Sequence, residues 1–338
     1  MTLILQILVL IALLLALALS IGALLTALIA GPAMAQLSPK GRITNLECGS
    51  KLHWYEHGQR TPGKPTLLLI HGLAAQAQNF TQFLAPLLAQ SHHVVTIDRP
   101  GCGMSTRQGA ADAEISRQAQ MIAQFIEAEQ LGRVVVVGHS LGGAIALALA
   151  LNHGALVGAL ALIAPLTQKP LAPPRVFLGY AITWTSLRKL LAYTLAVPLS
   201  KALFAPSLRM PFWPEQPTPN YLDPDGGGGA FSFLPSTFVS TSEDLIASPQ
   251  GASDIVNRYS ELSVPGGVLF GEQDLILNAT KHGQGFKNQV PHFDLRLLPK
   301  AGHMIHMTRP QECADFVLAQ ANKAGAEAEA EAEAEAEA

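Results

Sequence analysis

Cysteine is scarce in this chain: Cys48, Cys102 and Cys313 are the whole supply in 338 residues. An odd and widely spaced set builds neither a disulfide scaffold nor a metal-ligand cluster. It fits a reducing compartment or three small core residues. A strong net charge is also missing. With 22 basic and 25 acidic side chains the formal charge is −3, which argues against a nucleic-acid partner or a polyanionic substrate. There is no Walker loop, no dinucleotide fingerprint and no metal-spaced run of His, Cys, Asp or Glu. The chemistry is therefore expected to need no cofactor and no metal. No internal repeat is visible.

Charge vanishes altogether from Leu3 to Ala30, where nearly every residue is Leu, Ile, Ala or Val. As a helix this run is about 42 Å long at ~1.5 Å per residue, enough to cross a ~30 Å hydrocarbon layer with tilt. A secretory signal peptide has a basic start and a shorter apolar centre, and this run has neither. Residues 1–35 are read as a single-pass N-terminal membrane anchor. The alternative is secretion after cleavage near Ala35, because Ala33-Met34-Ala35 has the small residues of a cleavage site. Lys40, Arg42 and Lys51 favour a cytoplasmic body, and the cleavage-like site favours export, so the side of the membrane stays open.

What the chain does hold is Gly138-His139-Ser140-Leu141-Gly142. Before it stands Val134-Val135-Val136-Val137, a β-branched run suited to a strand buried on both faces. After it stands Gly143 to Leu151, rich in helix formers and apolar on every side. A Gly-x-Ser-x-Gly between strand and helix lifts the serine hydroxyl above the sheet, while the glycines clear the backbone around it. Ser140 is read as a nucleophile. Two later segments add the partners it needs. Val268 to Asp274 is a strand running into a turn that ends in a carboxylate, and Leu295 to His303 is a strand and loop ending in Gly-His.

In the chain order Ser140, Asp274, His303 the sequence resembles the α/β-hydrolase fold family, in its lidded serine esterase/lipase-like group. The resemblance covers about residues 42–322. It includes His71-Gly72 after Leu67-Leu68-Leu69-Ile70, and the turn Asp98-Arg99-Pro100-Gly101-Cys102-Gly103-Met104-Ser105 after Val94-Val95-Thr96-Ile97. It implies a mostly parallel central sheet with helices on both faces and a helical cap insertion. It also implies a catalytic triad of Ser140, Asp274 and His303, with an oxyanion hole made by the backbone N–H groups of Leu73 and Leu141. Glu272 competes with Asp274 on position and is read as an exposed loop carboxylate. His71 and His139 are read as ordering residues, His306 as structural or on the surface, and Asp98 and Arg99 as shaping their turn.

The body divides into a hydrolase core of residues 36–164, a cap or lid of 165–262, and a second core part of 263–323. Strands are expected over 43–48, 51–57, 67–71, 93–98, 134–138 and 157–164. Helices are expected over about 79–90, 115–130 and 141–153. Residues 165–249 hold 13 of the 23 prolines and the run Gly226 to Gly229, which predicts short helices separated by turns. Phe, Trp, Tyr and Leu concentrate there and suggest an apolar slot above the serine. Residues 324–338 form a low-complexity Ala-Glu tail, expected to be solvated and frayed. Its six glutamates set the sign of the net charge, which without them would be +3.

The expected function is that of a membrane-associated serine hydrolase acting on small lipophilic carboxylic esters through an acyl-enzyme on Ser140. Carbon–carbon bond hydrolase, cofactor-free haloperoxidase, thioesterase and acyltransferase activities share this triad and stay open. So does a non-catalytic, membrane-tethered binding module.

Overall fold

A computed structural model describes residues 2–36, 40–223 and 226–337. The strands are β1 (Arg42–Asn45), β2 (Lys51–His57), β3 (Leu67–Ile70), β4 (Val94–Ile97), β5 (Val134–His139), β6 (Val157–Ile163), β7 (Gly266–Gly271) and β8 (Asp294–Leu298). They form one eight-stranded sheet in the order β1-β2-β4-β3-β5-β6-β7-β8. β1 and β2 pair antiparallel, and so do β2 and β4, while every pair from β4 to β8 is parallel. Every residue of β3, β4, β5 and β6 is buried, as continuous apolar runs in a sheet covered on both faces require.

The helices are α1 (Thr2–Gln36), α2 (Gln78–Thr81), α3 (Leu84–Leu88), α4 (Ile115–Ala128), α5 (Leu141–Asn152), α6 (Thr185–Leu191), α7 (Val197–Ala202), α8 (Phe204–Phe212), α9 (Pro235–Val256), α10 (Gly285–Gln289), α11 (Ile305–Thr308) and α12 (Pro310–Glu337). One face of the sheet packs on α4, α5 and α10 through Ile122, Phe125, Ile145, Leu149 and Phe286. The other packs on α3 and α12 through Leu84, Leu88, Cys313 and Val317. α5 lies between the sheet and helices α4 and α9. That position explains why it carries no polar face.

Three local expectations need correction. The single helix expected over 79–90 is two short helices, α2 and α3, separated at Gln82 and Phe83. The segment between β6 and β7 is not made of short helices alone. α9 is 22 residues long, with Pro235 in its first turn and Pro249 inside it. Proline at the first turn is pre-shaped for a helix, and the interior proline removes one backbone bond from a helix braced by α4 and α5. The Ala-Glu segment is helical as far as Glu337. Ala and Glu are strong helix formers, and here they extend a helix already nucleated by its docked first half. Of the cysteines, all free, Cys102 and Cys313 are buried and Cys48 is exposed.

Candidate active site

β5 ends at His139, and Ser140 follows with φ 53° and ψ −118°. A non-glycine residue holds such a backbone only where its surroundings enforce it. Here the Ser140 amide donates to the Ile163 carbonyl, and the Ser140 carbonyl accepts from Gly143 and Leu166. The turn is also too tight for side chains nearby: a Cβ on Gly142 would stand 2.2 Å from the Ile70 carbonyl oxygen. The serine thus sits between the end of β5 and the start of α5.

Asp274 follows β7 and is buried, whereas Glu272 beside it is exposed. The Ile276 and Leu277 amides donate to Asp274 Oδ1 at 2.7 and 2.9 Å. That fixes the carboxylate and leaves Oδ2 to accept from His303 Nδ1 at 2.7 Å. With its Nδ1 proton committed, His303 presents a bare Nε2, the form a general base requires. Ser140, His303 and Leu73 line one cavity of about 630 Å³, together with Leu199, Phe204 and Phe212. A second cavity of about 270 Å³ meets it at Ser140 and Leu73, and has Leu141, Leu166 and Phe177 on its walls. Both are mainly apolar, and the serine stands where they join.

Leu141 is the first residue of α5, so its N–H has no carbonyl to bond within the helix. The Leu73 N–H is aimed from behind. The Gly72 carbonyl accepts from His71 Nδ1–H at 2.9 Å and from Arg99 Nη2–H at 3.0 Å. In a trans peptide the N–H points opposite the C=O. Holding the Gly72 oxygen therefore turns the Leu73 N–H the other way.

Arg99 is fully buried and does more than shape its turn. Its Nη2 also donates to Asp244 Oδ2 of α9 at 2.8 Å. Arg107 reaches Asp244 and Glu243, and Arg188 also reaches Glu243. No spacing in the sequence connects Arg99 to Asp244. The available signal was an arginine directly after a buried strand, since a buried guanidinium must be paired. Asp98 orders the loop, accepting from the Ala77 and Met104 amides and from His53 Nδ1.

Three further histidines are buried around the site. His71 Nε2 accepts from the Arg99 amide, and His139 Nε2–H donates to the His303 carbonyl at 3.1 Å. Burial holds both well below the usual histidine range. His306 is fully buried rather than on the surface, 4.1 Å from the His139 ring centre. Neither of its nitrogens has a hydrogen-bond partner among the described residues, and burial pushes it down to about 3. Among the described residues no group of three or more potential ligands could hold a metal.

A serine at a strand–helix elbow, on a mostly parallel sheet in this strand order, defines a class of hydrolases, and the comparison with known proteins agrees. Residues 67–316 match the alpha/beta hydrolase family, and the chain belongs to that family of hydrolases. It is 24% identical over 276 residues to the uncharacterized hydrolase YugF of Bacillus subtilis, covering 78% of this chain and 93% of that protein. It is 24% identical over 279 residues to the monoacylglycerol lipase ABHD6 of Bos taurus, covering 78% and 77%. An alpha/beta hydrolase fold protein from Burkholderia ambifaria superposes with a TM-score of 0.69 at 22% identity, over 83% of this chain and 98% of that one. A bacterial membrane phospholipase A superposes with a TM-score of 0.59 at 21% identity, over 96% and 98%.

Proposed function

We propose that this chain is a membrane-anchored serine hydrolase that cleaves carboxylic esters with an apolar portion. The observation that carries this reading is that His303, hydrogen-bonded to Asp274, lines the same apolar cavity as Ser140. In the proposed reaction Ser140 Oγ attacks the ester carbonyl carbon while His303 Nε2 takes its proton. The oxyanion is met by the Leu73 and Leu141 N–H groups. Collapse of the tetrahedral adduct breaks the bond to the alcohol, which leaves with the proton from His303. Water, deprotonated by the same imidazole, then attacks the acyl-enzyme and releases the acid. Asp274 holds the imidazole in its Nδ1–H form and stabilises the cation that forms in each half-reaction.

Residues 165–262 act in this reading as the cap over the two cavities, and α1 as the anchor. Two cavities of unequal size meeting at the serine suit an ester with a longer apolar arm on one side of the scissile bond and a shorter group on the other. The relatives named as a monoacylglycerol lipase and a membrane phospholipase A support an acylated lipid as the substrate class.

The test is fluorophosphonate labelling of the full chain in detergent, with the modified peptide identified by mass spectrometry. Labelling at Ser140 that disappears in His303→Ala is expected. Labelling at a different serine, or no labelling of folded protein, would overturn the assignment.

A further inference from the structure

α1 is two things in succession. Residues 3–18 are exposed on every side, and from Leu19 onward a single stripe of Leu19, Gly22, Thr26, Ile29, Ala30 and Ala33 is partly or fully covered. The spacing of three and four residues marks one helical face. That face docks on the segment between β6 and β7: on the π-helical turn Ala192–Ala196, on α7, and on the short helix Gly229–Phe233. Ala33 packs with Phe231 and Leu234. The contact has a specific polar core. Pro198 has no N–H to offer the Thr194 carbonyl four residues back, where a helix would place its donor. Thr26 Oγ1 donates to that carbonyl at 2.8 Å instead. Gly22 allows the approach, since a Cβ there would stand 2.8 Å from the same oxygen.

The docked surface continues into an exposed apolar face. Tyr193 is 60%, Leu199 58% and Leu203 52% exposed, and Leu199 and Leu203 also line the larger cavity. The charge along this segment of the chain has one sign. Between Pro165 and Pro214 lie Lys169, Arg175, Arg188, Lys189, Lys201 and Arg209, with no Asp or Glu. Arg188 is buried against Glu243, and the other five are exposed.

From these observations we propose that α6, α7 and α8 lie in the headgroup layer of an anionic bilayer, held at that depth by the α1 contact. The leucine rim of the larger cavity then opens toward lipid. The inference rests on the reading of α1 as a membrane anchor and adds a depth to it. The free part of α1, residues 3–18, spans only about 24 Å at ~1.5 Å per residue, less than a ~30 Å hydrocarbon layer. The first docked turn, Leu19 to Gly22, must therefore lie at the edge of that layer, together with the Thr194 turn it touches. Exposed lysine and arginine just outside apolar side chains suit the negative surface of such a membrane.

The test uses the full chain with Cys48→Ser, reconstituted in phosphatidylcholine–phosphatidylglycerol vesicles, with a nitroxide on Tyr193→Cys or Leu203→Cys. A label on Glu127→Cys, exposed near the end of α4 that leads into the start of β5, away from Ser140 at the other end of that strand, serves as the aqueous control. Accessibility to oxygen is compared with accessibility to a water-soluble nickel chelate. Labels at 193 and 203 are expected to favour oxygen, and the label at 127 to favour nickel. Nickel access at 193 and 203 equal to that at 127 would overturn the proposal. Shielding from both reagents would also overturn it, pointing to a second copy or another protein on this face.

The contact itself is tested by Gly22→Leu combined with Thr26→Val. This variant is expected to stay with the vesicles through an alkaline carbonate wash. Its turnover of a long-chain ester in the bilayer is expected to fall about tenfold, as a tethered encounter loses effective concentration. Turnover of a short water-soluble ester should hold within about twofold, since neither residue touches the cavities. Unchanged long-chain turnover would overturn the role given to the contact. If both activities collapse with loss of helical signal, the label depths in the otherwise native chain decide. Release of the native chain by the wash would sink the anchor reading, an outcome separate from a label found in water.

Discussion

Ser140 holds a positive φ, and its hydroxyl stands where two apolar cavities join. Replacing it with alanine removes the proposed nucleophile without disturbing the three backbone bonds that fix the turn. Ser140→Ala is expected to lower ester turnover by a factor on the order of 10⁴ or more and to leave the unfolding midpoint close to the native value. Thermal unfolding and turnover on one preparation check both. His306 gives a prediction of a different kind. Its neutral ring is buried with both nitrogens unpartnered, beside the rings of His139 and Phe80. A histidine whose pKa falls to about 3 on folding leaves the unfolded chain binding more protons below ~6.5, so stability declines as pH falls through that window. His282, pulled down to about 4 by burial, acts in the same direction. Each contributes a slope of up to about 1.4 kcal/mol per pH unit. His306→Leu fills similar space without a proton site. Denaturant unfolding at pH 7 and pH 5 should show a shallower loss for the variant, and equal losses would contradict the account.

Among the elements, α9 has the widest reach. It lies along α4 and α5 and carries Asp244, which pairs with Arg99, which in turn holds the Gly72 carbonyl. The Leu73 N–H is thus backed by a carboxylate of α9, which lies more than a hundred residues further along the chain. In the proposed mechanism Arg99 is a positioning residue for the Leu73 N–H. Its bonds to Gly72 and Asp244 both leave Nη2 while Nη1 donates to Gln118 Oε1, and a lysine, with a shorter reach and no planar fork, cannot hold this set of acceptors in place. Arg99→Lys is expected to lower kcat about 10- to 100-fold with a smaller change in KM, because a misaimed oxyanion donor is felt in the transition state. A larger rise in KM than fall in kcat would assign Arg99 to substrate binding or to the packing of α9 instead.

This link also marks where the sequence stops being readable. The Val134–Val137 strand and the glycines of the elbow are local patterns that local sterics make visible, whereas the order of Ser140, Asp274 and His303 is legible only through the family resemblance. The family match and the strand order bear out the fold class. The Arg99–Asp244 pair has no local spacing to betray it. The length of α9 is hidden because a proline's effect depends on its position in the helix and not on proline density along the segment. The burial of His306 was hidden because a histidine in a Gly-His-Met-Ile-His stretch carries no sign of which ring faces the core.

At the scale of the whole molecule, the two ends differ in what they touch. The Ala-Glu segment extends α12 beyond Ala324, the last residue of that helix in the sheet-facing core. Deleting residues 327–338 reverses the sign of the net charge, and turnover in neutral detergent is expected to stay within about twofold, since screened charges far from the site act weakly there. α1 is different, because its second half is part of the body. Removing residues 1–36 would uncover Phe231 and Leu234 and leave the Thr194 carbonyl without its donor. An unsatisfied buried carbonyl alone costs about 1–3 kcal/mol, and in a domain of this size each kcal/mol shifts the midpoint by about 2–4 °C. The shortened chain should therefore unfold several degrees below the full chain in the same detergent, with Thr26→Val in the full chain reproducing part of the loss. A midpoint unchanged by both would mean that α1 only tethers the hydrolase, and that residues 165–262 keep their shape without it.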